Sequence, residues 1–365
     1  MELRDTALSI WQAGVDAVGG YASVARALDG IPAPDRILAV GKAAAPMARA
    51  ALDRYGPIPC LVVTKDGHAD GLPSAVEVIE AAHPVPDDRS LAAGRALMQV
   101  VASMPSDSRL LLLLSGGASA LAEDLVAGAT LDALATLNRR LLAEGLDITK
   151  MNAARRKLSR IKGGGLLAAF TGHAVEVLAI SDVPGDDLAV IGSGIGLPPQ
   201  RPDCRARIVA SNGVAREAAA QRARPLGFDI LVNAETLHDD IGVLAPRIGQ
   251  HLRSMSCGTM ILGGEPTVLL PDRPGRGGRN QALALAVARE IAGIPDLAVV
   301  VGGTDGTDGP TDAAGGIVDG TTWSPDGAEA MAAADSGTWL EKHDALLVTG
   351  PTGTNVMDLL VAIRQ

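Results

Sequence analysis

The chain has 365 residues, with 32 Lys and Arg against 42 Asp and Glu, a formal net charge of −10. That length allows two domains with full cores, and the acidic balance argues against nucleic acid or an anionic membrane as the principal partner. Aromatic residues make up 2% of the chain, too few for base-stacking platforms, so the core must be Ala, Val, Leu and Ile, as where helices pack on a parallel sheet.

In "MELRDTALSIWQAGVDAV" the residues Leu3, Ile10, Trp11, Val15 and Val18 fall at helical spacing, predicting an amphipathic helix rather than a signal peptide. Short apolar runs then alternate with Ala-rich helical stretches. "RILAV" leads into "KAAAPMARAALDRY", and "CLVVT" and "VEVIEAA" precede the helix "RSLAAGRALMQVVASM". The strand "RLLLLLS" is followed by helical material from Ala118 to Arg160, and "AVEVLAIS" closes the series. This βαβ alternation predicts an N-terminal doubly wound, Rossmann-like parallel sheet. "GSGIGLPPQRPDCR", rich in Gly and Pro, reads as a linker, which divides the chain into domains 1–200 and 201–365. A second α/β series follows: "ARIVASN", the helix "GVAREAAAQRAR", "FDILVNA", "GTMILGGEPTVLL", a helix from about Arg279, "LAVVVGG" and "ALLVTGPTGTN". Cys60, Cys204 and Cys257 form no CxxC pair, so they fit a reduced cytosol and offer no zinc site. No apolar run reaches the ~20 residues of a membrane span, so a cytoplasmic protein with no membrane partner is expected.

Open α/β sheets bind ligands where strand turns into helix at their carboxyl edge. "LLLLLSGGASALAED" passes from five leucines into Ser115-Gly116-Gly117 and a helix start, a place for an anion to meet free N–H groups. No GxxxxGK[ST] is present, which excludes a P-loop. "ILAVGKAAAPMA" puts Lys42 in another such turn as a point charge for phosphate or carboxylate. In "MNAARRKLSRIKGGG" the Arg156 and Lys157 charges read as a solvated helix face, and Lys162-Gly163-Gly164 as a binding turn. Asp182, ending a buried strand, could hold Mg²⁺, accept a proton or cap a helix. His83, ahead of Pro84, reads as turn packing.

"GGEPTVLLPDRPGRGGRNQALALA" spaces Arg276 and Arg279 with glycines, after Glu265 and before Asn280 and Gln281 at a helix start. Guanidinium forks recognise carboxylates and phosphates bidentately. "GGTDGTDGPTDAAGG" brings Asp305, Asp308 and Asp312 without the Glu that completes an EF-hand, and "TGPTGTN" sets Gly beside hydroxyls at a strand end. Anion-receiving turns, forked arginines and carboxylates are the parts that phosphoryl transfer requires.

The blocks "GKAAAPMA", "HPVPDDRS", "LLSGGASAL", "MNAARRKLSRIKGGGLL", "SDVPGDD", "GRGGRNQALALA", "GGTDGTDGPTDAAGG" and "TGPTGTNVMDL" resemble, in order and across nearly the whole chain, those of class II glycerate kinases, the glycerate 2-kinases of the MOFRL family. The resemblance implies two α/β domains, the second of MOFRL type, with a cleft between them for ATP and D-glycerate. It also implies Mg²⁺ and phosphorylation of the 2-hydroxyl. The family's lysine falls on Lys42 and its Gly/Arg block on Arg276 and Arg279. Two departures stand out. Ser193-Gly194-Ile195-Gly196 replaces the usual Ser-Gly-Pro-Thr and lacks the longer helical insert that follows it, and Lys157 stands where relatives carry His.

The expectation is therefore an ATP- and Mg²⁺-dependent kinase acting on D-glycerate or a similar 2-hydroxy acid. Lys42, Arg276, Arg279 and Asp182 act on the reacting groups. Ser115, Gly116, Gly117, Lys162, Gly163, Asn280, Thr352 and Gly353 cradle the nucleotide, and Asp305 and Asp308 support the metal. Nothing in the residues decides the general base or the oligomeric state, and a homodimer is left open. The competing readings are a hydroxypyruvate reductase, against which stands the lack of GxGxxG and its downstream acid, and a non-catalytic binder of phosphorylated acids, which gains nothing from an Asp-rich loop.

Overall fold

A computed structural model describes residues 2–143 and 154–365. Met151, Asn152 and Ala153 of the basic segment lie outside them. The chain forms two units, one of Gly19–Ser211 with Gly353–Asn355, the other of the segment ending at Val18 with Asn212–Thr352 and Val356–Gln365.

The first unit is built on six strands: β1 (Arg36–Val40), β2 (Cys60–Lys65), β3 (Glu77–Ala81), β4 (Arg109–Leu114), β5 (Ala174–Ile180) and β6 (Cys204–Ala210). All neighbours are parallel, in the order β3-β2-β1-β4-β5-β6. This is the Rossmann order, whose connection reverses between β1 and β4 and opens a crevice at their carboxyl ends. Burial on both faces explains the continuous apolar runs: Leu111, Leu112, Leu113 and Leu114 of β4 are all buried, Leu112 and Leu114 in one core with Val40, Leu61, Leu97 and Ile161.

The second unit carries a mixed sheet of β7 (Ile230–Leu237), β8 (Gly258–Gly264), β9 (Leu297–Gly303), β10 (Gly315–Asp319), β11 (Leu346–Leu347) and β12 (Asp358–Arg364), ordered β11-β10-β9-β12-β8-β7. β12 runs antiparallel between β8 and β9, so its first residue, Asp358, is in register with Gly264 and Gly303 at the carboxyl ends of those strands. Helix Arg279–Glu290 covers one face through Leu283, Leu285 and Val287. The N-terminal helix Leu3–Ala17 lies in this same unit. Ile10, Trp11 and Val15 pack with Val300, Leu359 and Val361, and the Trp11 indole donates to the Leu359 carbonyl at 3.0 Å.

The units depart from a division at residue 200 for two physical reasons. β6 finds its ladder partner in β5, which extends the first unit to Ser211, and the apolar stripe of the N-terminal helix is covered by the second sheet. The helical stretch expected from Ala118 to Arg160 is also interrupted. It begins as a single turn, Ala118–Leu121, and resumes at Leu131–Ala143. Among the described residues no helix is long and apolar enough to cross a membrane.

Candidate active site

In the first unit, side chains gather at the β1/β4 reversal. The Lys42 amide donates to the Gly116 carbonyl at 2.9 Å, and the Ser115 hydroxyl accepts from the Ala43 amide at 3.0 Å, which ties the two turns together. Gly41 has φ +129° and Ser115 packs directly against it, so a side chain there would meet the Ser115 carbonyl at 2.5 Å. This close approach is why the lysine turn needs glycine. A Cβ on Gly116 would collide with the Asp182 carboxylate and lie 2.5 Å from Asn355 Nδ2. One on Gly117 would lie 3.2 Å from His83 Nε2 and 3.3 Å from Lys42 Cγ. The Gly116-Gly117 backbone is thus ringed by Lys42, His83, Asp182 and Asn355.

This cluster includes Lys42, Ser115, Gly116, Gly117 and Asp182 as expected and adds His83 and Asn355. His83 follows β3, and its ring lies against the Gly117 turn. Its "HPVPDD" context was the available signal. Asn355, two residues past Gly353, is the side chain by which "TGPTGTN" reaches the turn. The phosphate-seating role expected of the helix after Gly117 needs revision. A single turn has little dipole, so the turn's backbone and the ring of side chains define the place.

The Lys162 ammonium is committed to a buried ion pair, and Gly163 is exposed with its amide engaged by the backbone. The Lys162 ammonium is buried and pairs with Glu123 Oε2 at 2.5 Å, while Glu123 Oε1 accepts from the Ser159 hydroxyl. Burial pushes the Lys162 pKa down, with Arg155 adding and Glu123 opposing. The Gly163 amide donates to the Ser193 carbonyl at 2.9 Å. Arg156, expected to be solvated, donates to the Ala189 carbonyl at 2.7 Å, whereas Lys157 is exposed.

In the second unit Arg279 opens its helix and forks onto two carboxylates. Nε and Nη2 donate to Asp358 at 2.7 and 3.3 Å, and Nη1 donates to Glu265 Oε1 at 2.6 Å. Burial disfavours its charge, but Asp358 and Glu265 outweigh burial and raise its pKa. Burial likewise pushes Asp358 up to about 6 against the pull of Arg279. Arg276 lies apart from this fork, exposed and paired with Glu341.

Asp308 does not fit a metal site. Its carboxylate accepts from the Asn280 and Gln281 amides at 3.1 and 2.8 Å, capping helix Arg279–Glu290 from 27 and 28 positions away. Burial raises its pKa against those hydrogen bonds. Glycines allow the approach: a Cβ on Gly309 would lie 2.9 Å from Gly278 Cα. Asn280 is buried, with Nδ2 leaning on Asp308 at 3.4 Å, so it serves the cap. The Thr352 hydroxyl donates to the Thr304 carbonyl at 2.5 Å, and the Gly353 carbonyl accepts from Gly20 in its own unit, so both hold loops. Asp305 Oδ1 accepts from the Thr307 amide and hydroxyl, both at 3.1 Å. Among the described residues no three His, Cys, Asp or Glu are grouped for a metal. Mg²⁺ with phosphate ligands needs only one or two carboxylates, a role open to Asp182 or Asp305 but not to Asp308.

Two family models match successive stretches of this chain. Residues 6–224 match a family described as a domain of unknown function, DUF4147, and residues 258–358 match the MOFRL family. The D-glycerate 2-kinase of Thermotoga maritima is 34% identical, covering 99% of this chain and 98% of that protein. A protein of Agrobacterium vitis bearing a hydroxypyruvate reductase name is also 34% identical, over 88% of this chain and 97% of its own. The crystal structure of glycerate kinase from Thermotoga maritima superposes with a TM-score of 0.89 at 33% identity, covering 100% of this chain and 99% of that one.

Proposed function

This chain belongs to the glycerate kinase family in which a DUF4147 region precedes a MOFRL domain, and on that premise we propose that it transfers the γ-phosphoryl group of ATP to the 2-hydroxyl of D-glycerate. The observation that carries the reading is the ring of Lys42, His83, Asp182 and Asn355 around Gly116-Gly117 at the sheet reversal. It offers bare backbone for a phosphate to approach, one fixed positive charge and one carboxylate.

Transfer breaks the bond from the γ-phosphorus to the bridging oxygen and forms one to the glycerate 2-oxygen, whose proton departs. In a loose transition state charge gathers on the equatorial oxygens, so placement and neutralisation dominate. Lys42 neutralises as a point charge, and Arg279, aimed by its two contacts to Asp358, offers Nη1 to a carboxylate or phosphoryl oxygen. Mg²⁺, when bound, would screen the phosphate charge, with Asp182 or Asp305 as its protein ligand.

The Rossmann order and the Agrobacterium vitis relative's name favour a hydroxypyruvate reductase as the second reading. The turn after β1 opposes it. "GKAAAPMA" has no second or third glycine where a dinucleotide pyrophosphate would sit. ADP release from ATP on adding D-glycerate, with no NADH or NADPH oxidation by hydroxypyruvate, is expected. The reverse pattern would select the reductase.

A further inference from the structure

The two carboxylates on Arg279 are unequal. Asp358 is 2% exposed and grips the guanidinium at two points. Its strand position is fixed between Gly264 and Gly303, and its carbonyl accepts from Asn212 Nδ2 at 3.0 Å. Glu265 is 47% exposed, stands in the loop after β8 and makes one contact, to Nη1. Arg279 itself is 35% exposed, and the helix it opens is anchored by Asp308. The inner edge of the guanidinium is therefore fixed, while the outer edge faces solvent with one exchangeable partner.

We propose that Glu265 is a displaceable stand-in for an oxyanionic ligand of Arg279, and that Asp358 is the positioning residue that aims the same guanidinium. An incoming carboxylate or phosphoryl oxygen takes Nη1, and Glu265 swings into water. The exchange costs little because an exposed single-point ion pair contributes little. Asp358 cannot be exchanged in this way, since its release would leave a buried charge unpaired. Two further carboxylates stand near Asp358: Asp308, at the helix start, and Asp305, whose Oδ1, like Asp358 Oδ1, lies 3.4 Å from the position of a Cβ on Gly303. Both are carboxylates and supply no second cation to hold the anion. The inference rests on the proposed reading of Arg279 as an anion receptor, but not on which reaction follows.

Opposite signs test it. In phosphate-free buffer, inorganic phosphate and D-glycerate are titrated separately into the wild type, Glu265→Gln, Asp358→Asn and Arg279→Gln by calorimetry. Glu265→Gln should tighten at least one of the two ligands about 3-fold, Asp358→Asn should weaken it, and the gain should vanish in the Glu265→Gln/Arg279→Gln double variant. The ligand that responds identifies which oxyanion Arg279 receives. Glu265→Gln binding neither ligand more tightly, or a gain that survives without Arg279, overturns the proposal. Glu265 is exposed, so its variant keeps the test alive should Asp358→Asn fail to fold. A wild type that releases no ADP would refute the kinase reading while leaving the titrations interpretable.

Discussion

Asp308 and Gln281, 27 positions apart, form a closed pair: the Gln281 amide and its side-chain Nε2 both donate to Asp308 Oδ2, at 2.8 and 3.1 Å. With the Asn280 amide on Oδ1, this carboxylate fixes the start of the helix that Arg279 opens. Asp308 of the Asp-rich loop is therefore an anchor for the arginine helix.

Removing that anchor should cost stability before chemistry. Asp308→Ala strips a buried cap and should lower the unfolding free energy by about 1–3 kcal/mol, while Asp308→Asn should retain part of it. Urea denaturation measures both. A stable Asp308→Ala variant whose Mg²⁺ requirement has changed would return the residue to the metal site.

Arg279→Lys keeps the charge and removes the fork. Steady-state kinetics should show kcat/KM reduced by at least ~10-fold, about 1.4 kcal/mol. Wild-type kinetics would remove Arg279 from the reaction.

Lys162 should behave as a structural residue. Lys162→Met leaves Glu123 buried and unpaired, a change that costs about 3–5 kcal/mol. Pairing it with Glu123→Leu should restore much of the loss. If Lys162→Met melts like the wild type yet loses nucleotide affinity, the ammonium reaches ligand after all.

Acid should separate activity from stability at Asp358. Protonation near its value of about 6 weakens the grip on Arg279, so kcat/KM should fall below that pH. Stability runs the other way. Folding raises this pKa above the unfolded ~3.9, so the contribution is complete below the unfolded value and is lost as pH rises through about 6. Asp358→Asn should flatten both profiles. An acid limb unchanged in that variant would assign it to another group.

Much of this was legible because the first sheet is built from local signals. Five consecutive leucines before Ser115-Gly116-Gly117, and "ILAV" before Gly41-Lys42, mark buried strands ending in glycine turns. The failures share a cause, which is partners remote in sequence. Lys162 looked like a phosphate lysine because Glu123 lies 39 positions away, and Asp308 looked like a metal ligand because its amides are 27 and 28 away. Nor can local periodicity show that "DLLVAIR" enters the second sheet antiparallel between β8 and β9, which alone brings Asp358 to Arg279. The apolar stripe of the N-terminal helix announced burial without naming the sheet that covers it.

Phosphorus NMR of the product from D-glycerate, ATP and Mg²⁺ reads out which carbon receives the phosphoryl group. Phosphorylation at the 2-hydroxyl should give a new phosphomonoester signal split into a doublet by the single proton on carbon 2. A triplet from the carbon-3 methylene, or no phosphomonoester at all, would contradict it.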